Sequence, residues 1–132
     1  MKSLVEFILE KQMSIVDHLS YYFSKKYRIN SNTYPFEVNA LDNVMIISVK
    51  DFDRLSKTAK GINSDQTEFI KEVYAKFKEF NEEKFHNEFL GYVALDQRDK
   101  NDVTPSIIYG KGKDMRGWLN DHKNDGHFKF ID

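Results

Sequence analysis

Apolar residues recur at helical spacing in the first part of the chain. Leu4, Ile8, Ile15, Leu19, Tyr22 and Phe23 fall on one stripe between Ser3 and about Tyr27, with Lys, Glu and Asp largely opposite. This pattern predicts a long N-terminal amphipathic helix. Ser3 and Glu6 stand as a capping-box pair at its start, where they would satisfy free backbone N–H groups, and the polar stretch Arg28 to Thr33 ends it. The period then shortens to β-type runs, Phe36-Glu37-Val38 and Val44-Met45-Ile46-Ile47-Ser48-Val49, separated by the turn-like Leu41-Asp42-Asn43, which predicts a hairpin. Asp51 can cap a short helix through Lys60, with Gly61 as a stop. A longer helix is expected from Asp65 to about Phe85, because Phe69, Val73, Phe77 and Phe80 share one face while the other is mostly Lys and Glu. The last third predicts a strand Phe89 to Leu95, a charged turn Asp96 to Asp102, a strand Ser106 to Tyr109, a short helix Asp114 to His122 and a strand Phe128 to Ile131.

The element order α-β-β-α-α-β-β-α-β predicts an α+β fold: a small antiparallel sheet of about four or five strands with helices packed on one face. A length of 132 residues with 40% apolar and 14% aromatic content suits one domain, 1–132, with a real core. The 11 Phe and 7 Tyr set against 2 Pro and 6 Gly oppose disorder, since aromatic burial offsets the entropy of ordering the backbone. No internal repeat or long linker divides the chain.

Charge narrows the partners. With 20 basic and 21 acidic residues, no whole-molecule field attracts nucleic acid or an anionic membrane, so any such site must be local. The absence of Cys removes disulfides, thiolate nucleophiles and Cys-based metal sites, and fits a reducing cytosol. No apolar run approaches the roughly 20 residues of a membrane span, and the N-terminus lacks a secretion signal. The protein is expected to work where it is made, or to be carried from there by another assembly.

The opening Met1-Lys2-Ser3-Leu4-Val5-Glu6-Phe7-Ile8-Leu9-Glu10 resembles the capsid-targeting peptide of internal head proteins in T-even-type bacteriophages. The resemblance rests on Met1, Lys2, Ser3, Glu6, Phe7, Ile8 and Glu10, with Ser3 a conservative replacement. It implies delivery into the assembling head and a prohead-protease site after Glu10, with Phe7, Ile8 and Glu10 as the targeting and processing residues. The same ten residues also suit the capped first turns of a core-packing helix, and the two roles are compatible.

A second motif, Ile107-Ile108-Tyr109-Gly110-Lys111-Gly112-Lys113-Asp114-Met115-Arg116-Gly117-Trp118, runs from a predicted strand through a glycine-rich turn into a helix. Lys111, Lys113 and Arg116 could hold phosphates there while Tyr109 or Trp118 stacks a base. The spacing is neither that of a Walker A loop nor that of a dinucleotide fingerprint. The alternative is a solvated turn, with Trp118 anchoring the short helix in the core.

His122 and His127, near Asp121 and Asp125, lack metal-ligand spacing, and His18 and His86 stand apart from them, so no metal or cofactor is expected. The acidic turn Asp96 to Asp102 interleaves carboxylates with Arg98 and Lys100, unlike a calcium loop. No nucleophile elbow surrounds Ser48 or Ser106, and no carboxylate pair stands out among Glu37, Asp42, Asp51 and Asp53, so no catalytic residue is assigned. The expected function is therefore that of a phage-encoded accessory protein. It would bind a host or virion protein in the host cytoplasm, would be carried in the virion head, and would act in host takeover or defence inhibition. The alternative is a nucleotide- or nucleic-acid-binding module built on Gly110 to Trp118.

Overall fold

The structure, a computed structural model, describes residues 13–27, 35–49 and 66–131. The expected helix from Asp51 to Lys60, the Ser3–Glu6 pair and the residues Phe7, Ile8 and Glu10 lie outside them.

Helix α1 spans Ile15–Tyr27. Its stripe is Ile15, Leu19 and Phe23, spaced four apart and almost wholly buried. The expected long helix from Ser3 is corrected here, because the helix begins at its own capping box. The Asp17 N–H donates to Ser14 Oγ and the Ser14 N–H donates to Asp17 Oδ2, each at 3.1 Å. Serine in a capping position takes non-helical backbone angles, so a hydrophobic stripe can run past it while the helix does not.

Strands β1 (Glu37–Leu41) and β2 (Val44–Ser48) form the expected hairpin, turning at Asp42, whose φ of 54° suits a short polar residue. Helix α2, Gln66–Phe85, buries Phe69, Ile70, Val73 and Phe77. It ends in two left-handed residues, His86 and Asn87, at φ 52° and 58°. Buried Asn81 then clamps the start of strand β3 (Phe89–Asp96): its Nδ2 donates to Phe89 O at 2.9 Å, and the Phe89 N–H donates to its Oδ1 at 3.2 Å. Strand β4 (Thr104–Lys111), helix α3 (Gly112–His122) and strand β5 (Phe128–Phe130) complete the fold.

All strand pairs are antiparallel, in the order β1-β2-β4-β3-β5. The chain is thus α+β with a five-stranded sheet. Helices cover both faces of that sheet, not one. On one face α1 and α2 pack Leu19, Phe23, Val73 and Phe77 over Ile47, Val93, Ile107 and Tyr109. On the other, Met115 and Trp118 of α3 cover Val44, Ile46, Ala94 and Ile108. Central strand β4 is accordingly buried from Thr104 through Gly110, with alternate side chains entering different cores.

Candidate functional site

The two N-terminal helices run antiparallel: Phe23 meets Phe69, Tyr22 meets Phe80, and His18 meets Phe80 and Phe85. Between them lies a groove of about 590 Å³ lined by His18, Tyr21, Tyr22, Lys25, Lys26, Phe80 and Lys84. Its floor is aromatic. The His18 and Phe80 rings lie 5.5 Å apart, and the Tyr22 and Phe80 rings meet edge to face at 6.4 Å. Tyr21 stands at the rim and is 55% exposed.

The cations are held by those rings. Lys25 Nζ lies 4.7 Å from the centre of the Tyr21 ring, and Lys76 Nζ lies 4.3 Å from that of Tyr22. Lys26 pairs with Glu72, which also accepts a hydrogen bond from the Tyr27 hydroxyl at 2.8 Å. Lys76 donates to Glu79 at 2.8 Å, and this bond is the main cause of its raised pKa, with Tyr22 and Glu83 contributing in the same direction. The arrangement offers an aromatic surface, open to solvent, beneath a rim of lysines. Its lining, His18, Tyr21, Tyr22, Lys25, Lys26, Phe80 and Lys84, is the mixture of aromatic area and a few polar groups typical of a binding cleft.

Sequence inspection did not identify this groove, although part of its signal is local. Tyr21 with Lys25 and Tyr22 with Lys26 are (i, i+4) pairs on one helix, the spacing at which side chains meet. What could not be seen is that Phe80 and Lys84 of α2 come alongside.

The Gly110 to Trp118 segment is built differently from the expected glycine-rich turn. Strand β4 passes directly into α3, with Lys111 as the helix cap. Gly110 is a strand residue pressed against the β1–β2 turn, where a Cβ would lie 3.2 Å from Asn43 O. Lys111 pairs with Glu88 at 3.1 Å, and the first amide of α3, that of Gly112, donates to Glu88 O at 3.3 Å. Lys113 and Arg116 are exposed on the first turns of α3, and the Arg116 guanidinium lies over Gly112, next to Lys111 in the chain. The aromatics do not join them. Trp118 is buried against His122, 4.4 Å away between ring centres, and Phe128 at 5.3 Å, while Tyr109 faces the opposite core. Base stacking on either ring is thereby ruled out as the site stands.

The remaining candidates have local partners. His122 Nδ1 bonds Trp118 O at 2.9 Å, and the backbone N–H of His127, not its ring, donates to Asp125 Oδ1 at 2.9 Å. Among the described residues no group of His, Asp or Glu is placed to hold a metal ion, and no helix is long and apolar enough to cross a membrane. In the charged turn, Asp96 takes a two-pronged contact from Arg98, with the shortest distance 2.6 Å. The Ser48 and Ser106 hydroxyls bond each other at 2.9 Å inside the sheet and so are spoken for. No protein-family model, curated protein or solved structure matches the chain.

Proposed function

We propose that this protein acts by binding a host or phage protein through the groove between α1 and α2, as a phage-encoded accessory protein carried in the virion head and working in the host cytoplasm. The groove carries the binding half of this proposal. Its aromatic floor and exposed Tyr21 combine large contact area with little conformational entropy to lose, the profile of a protein-recognition surface. The phage half draws its support from the resemblance of Met1 to Glu10 to a head-targeting peptide. The cap at Ser14 is in keeping with it, since α1 starts after that segment and after the Glu10 cleavage position.

A photo-crosslinking residue placed at Tyr21 during infection should capture one discrete partner, whereas the same group at exposed Val103 should not. Equal capture at both positions would sink the groove as the interface. Fusing Met1 to Glu10 to a reporter should carry it into phage heads, and replacing Phe7 and Glu10 should prevent entry. Equal packaging of both fusions would remove the phage half.

Exposed Lys113 and Arg116 beside Lys111 favour a second role, a phosphate contact at the start of α3, with nucleic acid as the ligand. Without an available aromatic, such a contact would be electrostatic and indifferent to base.

A further inference from the structure

We infer that the ligand of the α1–α2 groove is an acidic amphipathic helix of a partner protein, an inference that rests on the binding role proposed above. The lining contains three lysines and no carboxylate, in a chain whose net charge is −1. The positive rim is therefore a local concentration and does not reflect overall charge. Lys26 and Lys76 already have their carboxylates in Glu72 and Glu79. Lys25, by contrast, rests only over the Tyr21 ring, and among the described residues it makes no ion pair. A carboxylate arriving from outside would complete it.

The walls explain why the ligand is helical. Both are α-helices, whose backbone groups are satisfied internally, so the groove offers no free N–H or C=O to an extended strand. A ligand entering an aromatic trough must bring its own backbone hydrogen bonds, and a helix does. From His18 to Lys26 the trough follows nine residues of α1, eight steps of 1.5 Å or about 12 Å, roughly two turns of a docked helix. Two or three apolar anchors at i, i+3 or i+4 would lie on Tyr22, His18 and Phe80, and a carboxylate on the flank would meet Lys25, with Lys84 adding to the positive field at the other wall. Nucleic acid fits less well, because Glu79 and Glu83 stand around Lys76 beside the Tyr22 end of the trough, where a phosphate chain continuing past the groove would be repelled while a two-turn helix ends within it.

The test is selection of a displayed library of random 16-residue peptides on the full-length protein. Bound peptides are then titrated against wild type, Tyr21→Ala, and the double variant Lys25→Glu with Lys84→Glu. All three substitutions lie at exposed positions, and thermal melting verifies that each variant folds. Selected peptides should be net negative with apolar residues at helical spacing. They should lose affinity about tenfold or more on the charge-reversed variant and recover when their own Glu residues are changed to Lys. Peptides that depend on Tyr21 but are neutral, basic or without helical spacing would overturn the acidic-helix assignment and leave the groove as the interface. Tighter, Lys25-dependent binding of a 16-nucleotide oligo-dT would overturn it in favour of nucleic acid. If no peptide or oligonucleotide distinguishes the variants from wild type, both the assignment and the binding role of the groove fail.

Discussion

Replacing Gly91 by Ala tests the packing between α2 and the sheet. Gly91 lies in β3 opposite Tyr109, and the Phe77 ring sits directly over it. A Cβ at Gly91 would lie 2.5 Å from Phe77 Cε1 and 3.0 Å from its Cζ, so the ring must move. It has little room, being stacked on Tyr74 with ring centres 6.1 Å apart and set against Tyr109 at 5.1 Å. The backbone cannot give way freely either, because the Tyr74 hydroxyl donates to Gly91 O at 2.8 Å. Overpacking of this kind costs about 1–3 kcal/mol, against roughly 0.5–1 kcal/mol gained when Gly is replaced by Ala in a regular element. The 2.5 Å approach puts the clash at the upper end of that range, so a net loss of about 2 kcal/mol is expected in urea unfolding, with the melting temperature lower by roughly 5–10 °C. The cycle with Phe77→Leu identifies the cause: in that background the Gly91→Ala loss should shrink below about 1 kcal/mol. Unchanged stability of Gly91→Ala, or an equal loss in both backgrounds, would refute the proposed clash.

Burial, with Asp17 contributing, pushes the Tyr109 phenol up to about 12. The native state thus holds a proton that the unfolded chain releases near pH 10, and this contribution is complete below pH 10 and is lost as pH rises toward 12. The change is about 2–3 kcal/mol, and Tyr109→Phe should flatten that part of a stability–pH curve. Ser14→Ala should cost about 1 kcal/mol in chemical denaturation by removing the α1 cap, and combining it with Asp17→Asn should cost less than the sum of the two, since the bonds are reciprocal. Changing Lys111, Lys113 and Arg116 together to Ala should alter stability by about 0.5 kcal/mol or less. If α3 holds phosphates, titrations at two salt concentrations should show a shallower salt slope, by about one unit for each lost contact. Identical titrations of variant and wild type would discard that role.

Much of the fold was legible because its elements carry strong local periodicity. Helix α2 matches the predicted 65–85 span almost residue for residue, since Phe69, Val73 and Phe77 recur every four positions. The strands lie where β-type apolar runs and turn chemistry put them, except that Leu41, expected in the turn, is the last residue of β1 and leaves Asp42-Asn43 as the turn. The placement of helices on one face failed for a reason also present in the sequence. Val44-Met45-Ile46-Ile47 and Ile107-Ile108-Tyr109 are unbroken apolar runs, the mark of strands covered on both faces, where a half-exposed sheet would alternate. The start of α1 was misplaced because the apolar stripe continues upstream of Ser14, and periodicity alone does not reveal a cap. The groove was illegible for a tertiary reason: His18 and Phe80 are distant in sequence, and only the antiparallel docking of two helices brings them into contact.

The pairing of β2 with β4 at the middle of the sheet has a kinetic consequence. Each strand's other neighbour across a tight connection, β1 or β3, is close in the chain, but Ser48 and Ser106 are joined across 58 positions. Closing a loop of that length costs roughly 3–4 kcal/mol of chain entropy before any contact rewards it. The two hairpins can therefore form early and independently, while the seam between β2 and β4 must close late, with α2 already spanning the gap. Shortening side chains along that seam, at Ile46, Ile47 or Ile107, should then slow refolding, whereas changes in the β1–β2 turn should act mainly on how often the productive hairpin is available to dock.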